Sequence, residues 1–533
     1  MGAIFRRYEP LLDPRRAARR ACLFVGLLVA HPGAAAWAQF HIGVWTPGGH
    51  QHQAGSFDAS FVASDVADLD ALGIDLLVDS TPKWDLYEPP DHSLYFEHQV
   101  MSYWINRGGF VVHWAPEYQQ LGLGTVDDYL EYYAGRPDAQ YPVDVGQVHQ
   151  RVADLIAQHS PYGTAFYGYR LGHETDPIGY GIYDQGTYGN LGAVIDEIRG
   201  QDMTRRIIAV GNVMDDGLTR WTTGEQAAFR NAFFRADAAP ANILMHEQYV
   251  LWPSETSEDA VQGSMDDLRV GLDRAGDMVR TAIGQGRKAE WHLVANVSNQ
   301  YDWTPDPPHD PRWWTYRVPS VSELRAQTNL ALCRGAKGIT YFCYTSSQPN
   351  YSTWEWEYES PVYWVDQSTP GQPRPRRQPH WDTVRAANDT LRPLGNALYP
   401  LTWTAGFPQT SIPDPQQPNN YVVSVAPGVE RAEFGTFYDP APVDLNRDYL
   451  LVVNRRDLTV PSSSQDVAVT LRADHLRHAD HGPGVYFLTN VVSGERQVRS
   501  TDAGGQLVLR CPAMPPGAAR LFRIERVSEW SGT

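Results

Sequence analysis

The chain has 533 residues, 42% of them hydrophobic, 12% aromatic and 20% charged. That is ample apolar material for a packed core and excludes a wholly disordered chain. The formal net charge of −18 argues against a general binder of nucleic acid or of anionic membranes.

The first segment reads as a targeting signal and is set aside before fold reasoning. Arg6, Arg7, Arg15, Arg16, Arg19 and Arg20 form a basic region ahead of an apolar run at 21–30. That run falls short of the roughly 20 residues needed to span a bilayer. Ala36-Trp37-Ala38 supplies small residues for cleavage before Gln39, leaving a mature chain of net charge −22. Arg19-Arg20 keeps a twin-arginine route open beside general export. The expected product is secreted or periplasmic, with no membrane association once residues 1–38 are gone.

From 39 to 398 short apolar runs alternate with helical patterns, the signature of repeated βα units. Eight strands are predicted, at 40–45, 74–80, 110–115, 165–172, 206–212, 242–249, 291–297 and 338–344. Amphipathic segments at 57–72, 145–159, 257–283 and 320–334 lie between them, and a last helix at 381–398 follows the eighth strand. Ser320 with Glu323 resembles a capping box, and Gly335 stands where a helix stop belongs. Eight βα pairs over this length predict a (β/α)8 TIM barrel. An open doubly wound sheet is the alternative, but no Gly-rich phosphate turn follows the first strand.

Residues 399–533 lose the helical period. Short strands at 421–425, 449–453, 467–471, 485–489 and 507–510 between Gly, Pro, Asp and Asn punctuation predict a small C-terminal β-sandwich. The Pro-rich stretches at 370–379 and 408–418 read as linker or loop. Cys22 falls in the signal. Cys333, Cys343 and Cys511 lack the spacing of a disulfide framework or zinc knuckle and read as buried small hydrophobes.

A barrel keeps its active site at the C-terminal strand ends, so the strand positions yield the candidates. Strand two ends at Asp79 and strand three carries His113. Strand four ends in His173-Glu174 and strand five in Asn212. Strand six carries His246, Glu247 and Tyr249 before Trp252, strand seven Asn296, and strand eight Tyr344. Glu174, flanked by Tyr169 and Leu171, suits a proton donor, or else an ion pair with Arg170. Glu247 suits its carboxylate partner, or else support behind the site. Glycoside cleavage needs two such carboxyls, about 5–5.5 Å apart for retention or about 6.5–9.5 Å for inversion. Strict alternation turns His246 away from Glu247 and His173 away from Glu174, unless a bulge brings both inward.

The 62 aromatic residues (17 Trp, 28 Tyr, 17 Phe) cluster where such a site needs them. The segment after strand seven holds Tyr301, Trp303, Trp313, Trp314 and Tyr316; that after strand eight holds Trp354, Trp356 and four more. Aromatic faces bury the C–H faces of sugar rings while hydroxyls find polar partners. Some of these rings serve instead as loop anchors.

The barrel, the strand-four Glu, a strand-six His and Tyr, and the C-terminal sandwich together resemble clan A glycoside hydrolases. Members of that clan are retaining enzymes whose strand four typically ends Asn-Glu, with the Glu as acid/base. Here the pair is His173-Glu174, so the resemblance assigns that role to Glu174 and finds no counterpart for the Asn. His246 and Tyr249 match the clan's strand-six His and Tyr at altered spacing. The segment 326–344 looks like the last helix and strand of members related to β-galactosidases, and 449–454 through 520–524 looks like their small sandwich. The departure is in strand seven, where the clan carries its nucleophilic Glu. This strand reads WHLVANVSNQ, with no carboxylate, and Glu290 precedes it at the opposite end of the barrel. Glu247 takes the second role, or Asp302 does from the loop, or the chemistry differs.

The leading expectation is a secreted glycoside hydrolase acting on a poly- or oligosaccharide, without a cofactor. Glu174 and Glu247 would be its catalytic pair. Asp79, His113, His173, Asn212, His246, Tyr249, Trp252, Asn296, Tyr344, Trp354 and Trp356 would bind substrate. Two other readings compete. One is a metal-dependent barrel hydrolase using His113, His173, Glu174, His246 and Glu247, although no His-x-His or His-Glu-x-x-His spacing is present. The other is a carbohydrate-binding barrel without turnover. The oligomeric state is not legible.

Overall fold

A computed structural model provides the architecture. It describes residues 39–47, 67–80, 110–114, 149–150, 152–153, 156–157, 166–170, 192, 195–211, 223–236, 240–301, 316–344, 357–362, 377–414, 420–440, 447–477 and 482–527. The cleavage site predicted before Gln39 lies outside them.

All eight predicted barrel strands form. They are β1 (His41–Pro47), β2 (Leu76–Ser80), β3 (Phe110–Trp114), β4 (Phe166–Arg170), β5 (Arg206–Gly211), β6 (Asn242–Glu247), β7 (Ala289–Asn296) and, after a short β8 (Asn299–Tyr301), β9 (Gly338–Phe342). Parallel pairing runs round the ring and closes through β7–β9 and β9–β1. The open-sheet alternative is therefore excluded. A strand in such a ring is covered on both faces, which is why RIIAVG, buried throughout, shows no alternation of polarity. Beyond the ring, β10 (Glu357–Glu359) pairs antiparallel with β8.

The helices α1 (Thr223–Phe233), α2 (Glu258–Gly284), α3 (Val321–Cys333) and α4 (Pro379–Leu398) wrap the described part of the ring. In α2, Val261, Met265, Leu268, Leu272, Ala275 and Val279 are buried at three- and four-residue intervals, the stripe of a helix lying on a sheet. Ser320 and Glu323 form the predicted capping box of α3. Gly335 ends it at φ +82°, and a Cβ there would meet the Trp403 ring at 2.8 Å. The glycine is needed both for the left-handed turn and for the close packing.

Nine strands follow: β11 (Thr402–Pro408), β12 (Val422–Val425), β13 (Ala432–Tyr438), β14 (Asp448–Asn454), β15 (Gln465–Arg472), β16 (Val485–Asn490), β17 (Arg496–Ser500), β18 (Gln506–Met514) and β19 (Ala519–Arg526). A six-stranded sheet, β11-β13-β14-β19-β16-β17, faces a three-stranded one, β12-β15-β18, across a core of Val422, Phe434, Leu450, Val469, Leu488, Leu509 and Ile524. This is the expected sandwich.

Its outer face is not free. Phe437, Tyr449, Leu451, Val453 and Leu521 belong to the same apolar cluster as Leu324, Leu330 and Leu332 of α3. Residues 40–533 accordingly form one compact unit, with only Tyr399, Pro400 and Leu401 between α4 and β11. Fully buried Arg334 donates to Asp273 Oδ1 at 2.9 Å and to buried Glu433 Oε2 at 2.7 Å. Arg455 joins Glu433 (3.0 Å) to Asp266 (2.7 Å), so charge as well as apolar area crosses the seam. Cys333, Cys343 and Cys511 are buried thiols, as expected.

Candidate active site

Parity along each strand decides which side chains look into the barrel. In β7, Trp291, Leu293 and Ala295 belong to the cluster under the helices, so His292, Val294 and Asn296 face inward. In β9, Ile339 and Tyr341 face out, Tyr341 donating to Asn388 Oδ1 of α4 at 2.6 Å, so Thr340 and Phe342 face inward. In β1, Ile42 and Val44 face out and Trp45 inward. In β6, Leu244 faces out with His246, leaving Ile243, Met245 and Glu247 inside. Glu247, Asn296 and Phe342 thus end their strands at the C-terminal mouth, and Trp45 stands two residues before the end of β1.

Around Glu247 the walls are aromatic. Tyr249 donates its phenolic proton to Glu247 Oε1. Its ring stacks on Phe342 at 5.5 Å and meets Tyr316 edge-on at 5.4 Å. Trp252 lies 4.8 Å from Tyr316, and Trp45 packs edge-on to Phe342 at 6.2 Å. The wall is assembled from three strand ends and from two connections tied together by Arg317. The Arg317 guanidinium donates to the Glu255 carbonyl (2.8 Å) and to Glu323 Oε1 (2.6 Å), and its amide donates to the Leu251 carbonyl (3.0 Å). Glu255 in turn accepts from the Trp252 amide at 2.9 Å and from Ser264 Oγ at 2.6 Å.

Three expected substrate contacts have other work. His246 is fully buried on the outer side of β6, where strict alternation puts it. It shares a 3.0 Å hydrogen bond with Gln248, which donates to the Asp267 carbonyl of α2 at 3.2 Å. Burial is the main influence on its imidazole and lowers its pKa to about 4. Asn296 faces inward, but its amide is engaged in a local turn, donating to the Ser298 carbonyl (2.9 Å) and accepting from Ser298 Oγ (2.8 Å). Tyr344 is buried in the cluster under the helices, its amide donating to the Trp45 carbonyl at 3.0 Å. Tyr249 and Trp252 do line the mouth.

Asp79 and His113 are described through their backbones only, Asp79 in register with Thr46 and His113 with Tyr169. His173, Glu174, Asn212, Trp354 and Trp356 lie outside the described residues, as does Asp302. Glu290, at the opposite end of β7, is ion-paired with Arg206 at 3.0 Å and stands 3.4 Å from the Tyr399 hydroxyl, a floor contact far from the mouth. Among the described residues no three His, Cys, Asp or Glu gather as a metal site. None of the described helices is long and apolar enough to cross a membrane.

Trp45, Phe342 and Arg317 were not among the expected site residues. The first two could have been found by parity, each being an inward residue near the end of an apolar strand. Arg317 is only half legible: Glu323 lies six residues on, but the Glu255 carbonyl that ties it to the other connection lies 62 residues earlier. The β8–β10 ribbon was also missed. It sets Glu357 opposite Tyr301 and Glu359 opposite Asn299, just past the carboxylate-free end of β7.

No family model matches the chain, and no curated protein matches it. Solved structures of similar architecture include a glycoside hydrolase at TM-score 0.47 and 11% identity, covering 92% of this chain and 93% of the other. A glycoside hydrolase family 5 protein from Bacteroides vulgatus gives 0.43 and 10%, with 92% and 90% covered. A family 30 subfamily 8 xylanase from Clostridium acetobutylicum gives 0.39 and 11%, with 92% and 98% covered.

Proposed function

We propose that the protein is an exported glycoside hydrolase that cleaves a poly- or oligosaccharide with two carboxyl groups. The observation that carries this reading is Glu247, inward at the C-terminal mouth of a closed barrel, its carboxylate held by Tyr249 within a wall of four further rings. A sugar ring presents C–H faces to such a wall and hydroxyls to such a carboxylate.

In this reading Glu174 protonates the leaving glycosidic oxygen. Glu247 either attacks the anomeric carbon or takes the proton of the attacking water. Asp79, His113, His173, Asn212, Trp252, Trp354 and Trp356 surround the sugar. Export through the segment 1–38 belongs to the same proposal.

The experiment is hydrolysis of a polysaccharide panel by the purified mature protein, with Glu174→Gln and Glu247→Gln alongside. Each variant should lose at least about a hundredfold in rate, the usual scale of a lost acid–base group, with circular dichroism unchanged. A nearly unchanged rate removes that residue from the mechanism. Tight glycan binding with no turnover across the panel favours the non-catalytic reading, which the carboxylate-free end of β7 supports.

A further inference from the structure

Where the first three turns of α2 meet the sandwich, a cavity of about 440 Å³ opens between 258–269 and the segments 408–410, 430–432 and 455–457. Sites for small ligands have volumes of about 300–1,000 Å³. Because α2 follows directly on the connection 248–257 that carries Trp252, the cavity begins at the mouth end of the barrel, outside the ring.

Two almost fully buried side chains at its border keep hydrogen-bonding capacity beyond what the protein uses. Arg455 engages Asp266 (2.7 Å) and Glu433 (3.0 Å) through Nη2, while its Nε and Nη1 have no hydrogen-bond partner. Gln262 donates Nε2 to Glu258 Oε1 (2.7 Å) and to the Arg455 carbonyl. Both of those oxygens only accept, which fixes the orientation of the amide and leaves Gln262 Oε1 as an acceptor with no donor. A buried polar atom without a partner costs on the order of 1–3 kcal/mol. Both side chains therefore gain from a ligand that offers an acceptor to one and a donor to the other.

Charge narrows the choice of that ligand. Five carboxylates and four guanidiniums border the cavity, and Asp266 is shared among Arg269, Arg431 and Arg455, so neither a cation nor an anion is favoured. A hydroxyl group both donates and accepts, and adjacent hydroxyls match the Arg455 and Gln262 pair. No aromatic ring lines the cavity, so a sugar is held there by its hydroxyl edge rather than by its C–H face.

We propose that this cavity is a second saccharide site, apart from the mouth, which takes one or two neutral sugar rings through adjacent hydroxyls. One hydroxyl accepts from Arg455 and its neighbour donates to Gln262 Oε1, with Arg431 on the rim. A polysaccharide leaving the mouth over 248–257 is thereby held again at the seam. The choice of ligand class rests on the glycoside hydrolase reading.

The test is amide exchange of the mature Glu174→Gln protein with and without cellotetraose, xylotetraose or mannotetraose. Each probe is used at about 20 mM, enough to fill a site of millimolar affinity. At least one of them should slow exchange over 429–432 and 455–459 by about threefold or more, to the same extent at low and at high salt. A galacturonate or glucosamine tetramer should protect these segments less. Thr410→Trp fills the cavity from its exposed 3-10 turn. Arg431→Gly removes the rim guanidinium at φ +52°, where glycine is unstrained. Each variant should cut the protection by about half or more and leave that of 248–256 unchanged. An unprotected seam with all three neutral tetramers, protection that survives Thr410→Trp, or protection given only by a charged tetramer and lost in salt overturns the proposal. Hydrolysis of the polysaccharide panel with an unprotected seam sinks it and leaves the glycosidase reading standing. Seam protection by a neutral tetramer in a wild-type protein that cleaves nothing does the reverse.

Discussion

His246 shows how one residue can be chemically apt and still be structural. Its imidazole is held neutral by burial, with a folded pKa of about 4 against an ordinary 6.5. In the unfolded chain the ring gains its proton as pH falls through 6.5; in the folded protein it does not until about 4. The stability tied to neutral burial is therefore whole above pH 6.5 and lost as pH falls toward 4, by about 3 kcal/mol at most. His246→Gln removes that titration. The stability difference between wild type and variant, from denaturant melts at pH 7, 6, 5 and 4, should shrink by that order in favour of the variant. A difference independent of pH would show that the ring does not titrate as its burial requires.

At the scale of elements, the mouth depends on connections being held where the strands leave them. Arg317 bonds one connection to the next and to the capped start of α3. Arg317→Ala should speed amide exchange over 248–256 about tenfold, the loss of one charge-assisted tie, while the α2 interior keeps its protection. Unchanged exchange there would mean that packing alone holds the wall. The same scale explains what the sequence made legible. Each barrel strand is a short apolar run between breakers, so all eight could be read, and the Ser320–Glu323 cap is a local pattern that needs no tertiary knowledge. β13 and β17 were not anticipated. β13 holds Glu433 and Gly435 against α3, and β17 exposes Arg496, Val498 and Ser500, so neither shows a clean apolar period. At the site, Glu247, Tyr249 and Trp252 were legible because they follow a readable strand. Residue type alone points to His246, Asn296 and Tyr344, whereas the hydrogen bonds of His246 and Asn296 and the burial of Tyr344 depend on side-chain parity and on partners that residue type does not reveal.

At the scale of the molecule, Glu433 is the charge on which the seam turns, buried and bound by Arg334 and Arg455. Arg334→Met leaves that carboxylate short of a partner and should cost about 3–5 kcal/mol. Arg334→Met/Glu433→Leu removes the need for one and should be clearly more stable than the single variant, since a buried ion pair gains little over apolar packing. Simple additivity of the two losses in denaturant melts would show that the pair is not energetically coupled.

The three-residue join between α4 and β11 carries one more consequence. Lys337, at the start of β9, donates to the carbonyls of Leu398, Tyr399 and Leu401 (3.3, 2.8 and 2.6 Å), so the hinge that a two-module enzyme would use is clamped by the barrel itself. Exchange of the sandwich for another, by recombination or by engineering, would have to bring a matching clamp and a matching apolar face with it. The two parts are therefore built as one folding unit, and the workable crossover points for building chimaeras lie in the surface connections rather than at the apparent boundary between barrel and sheet.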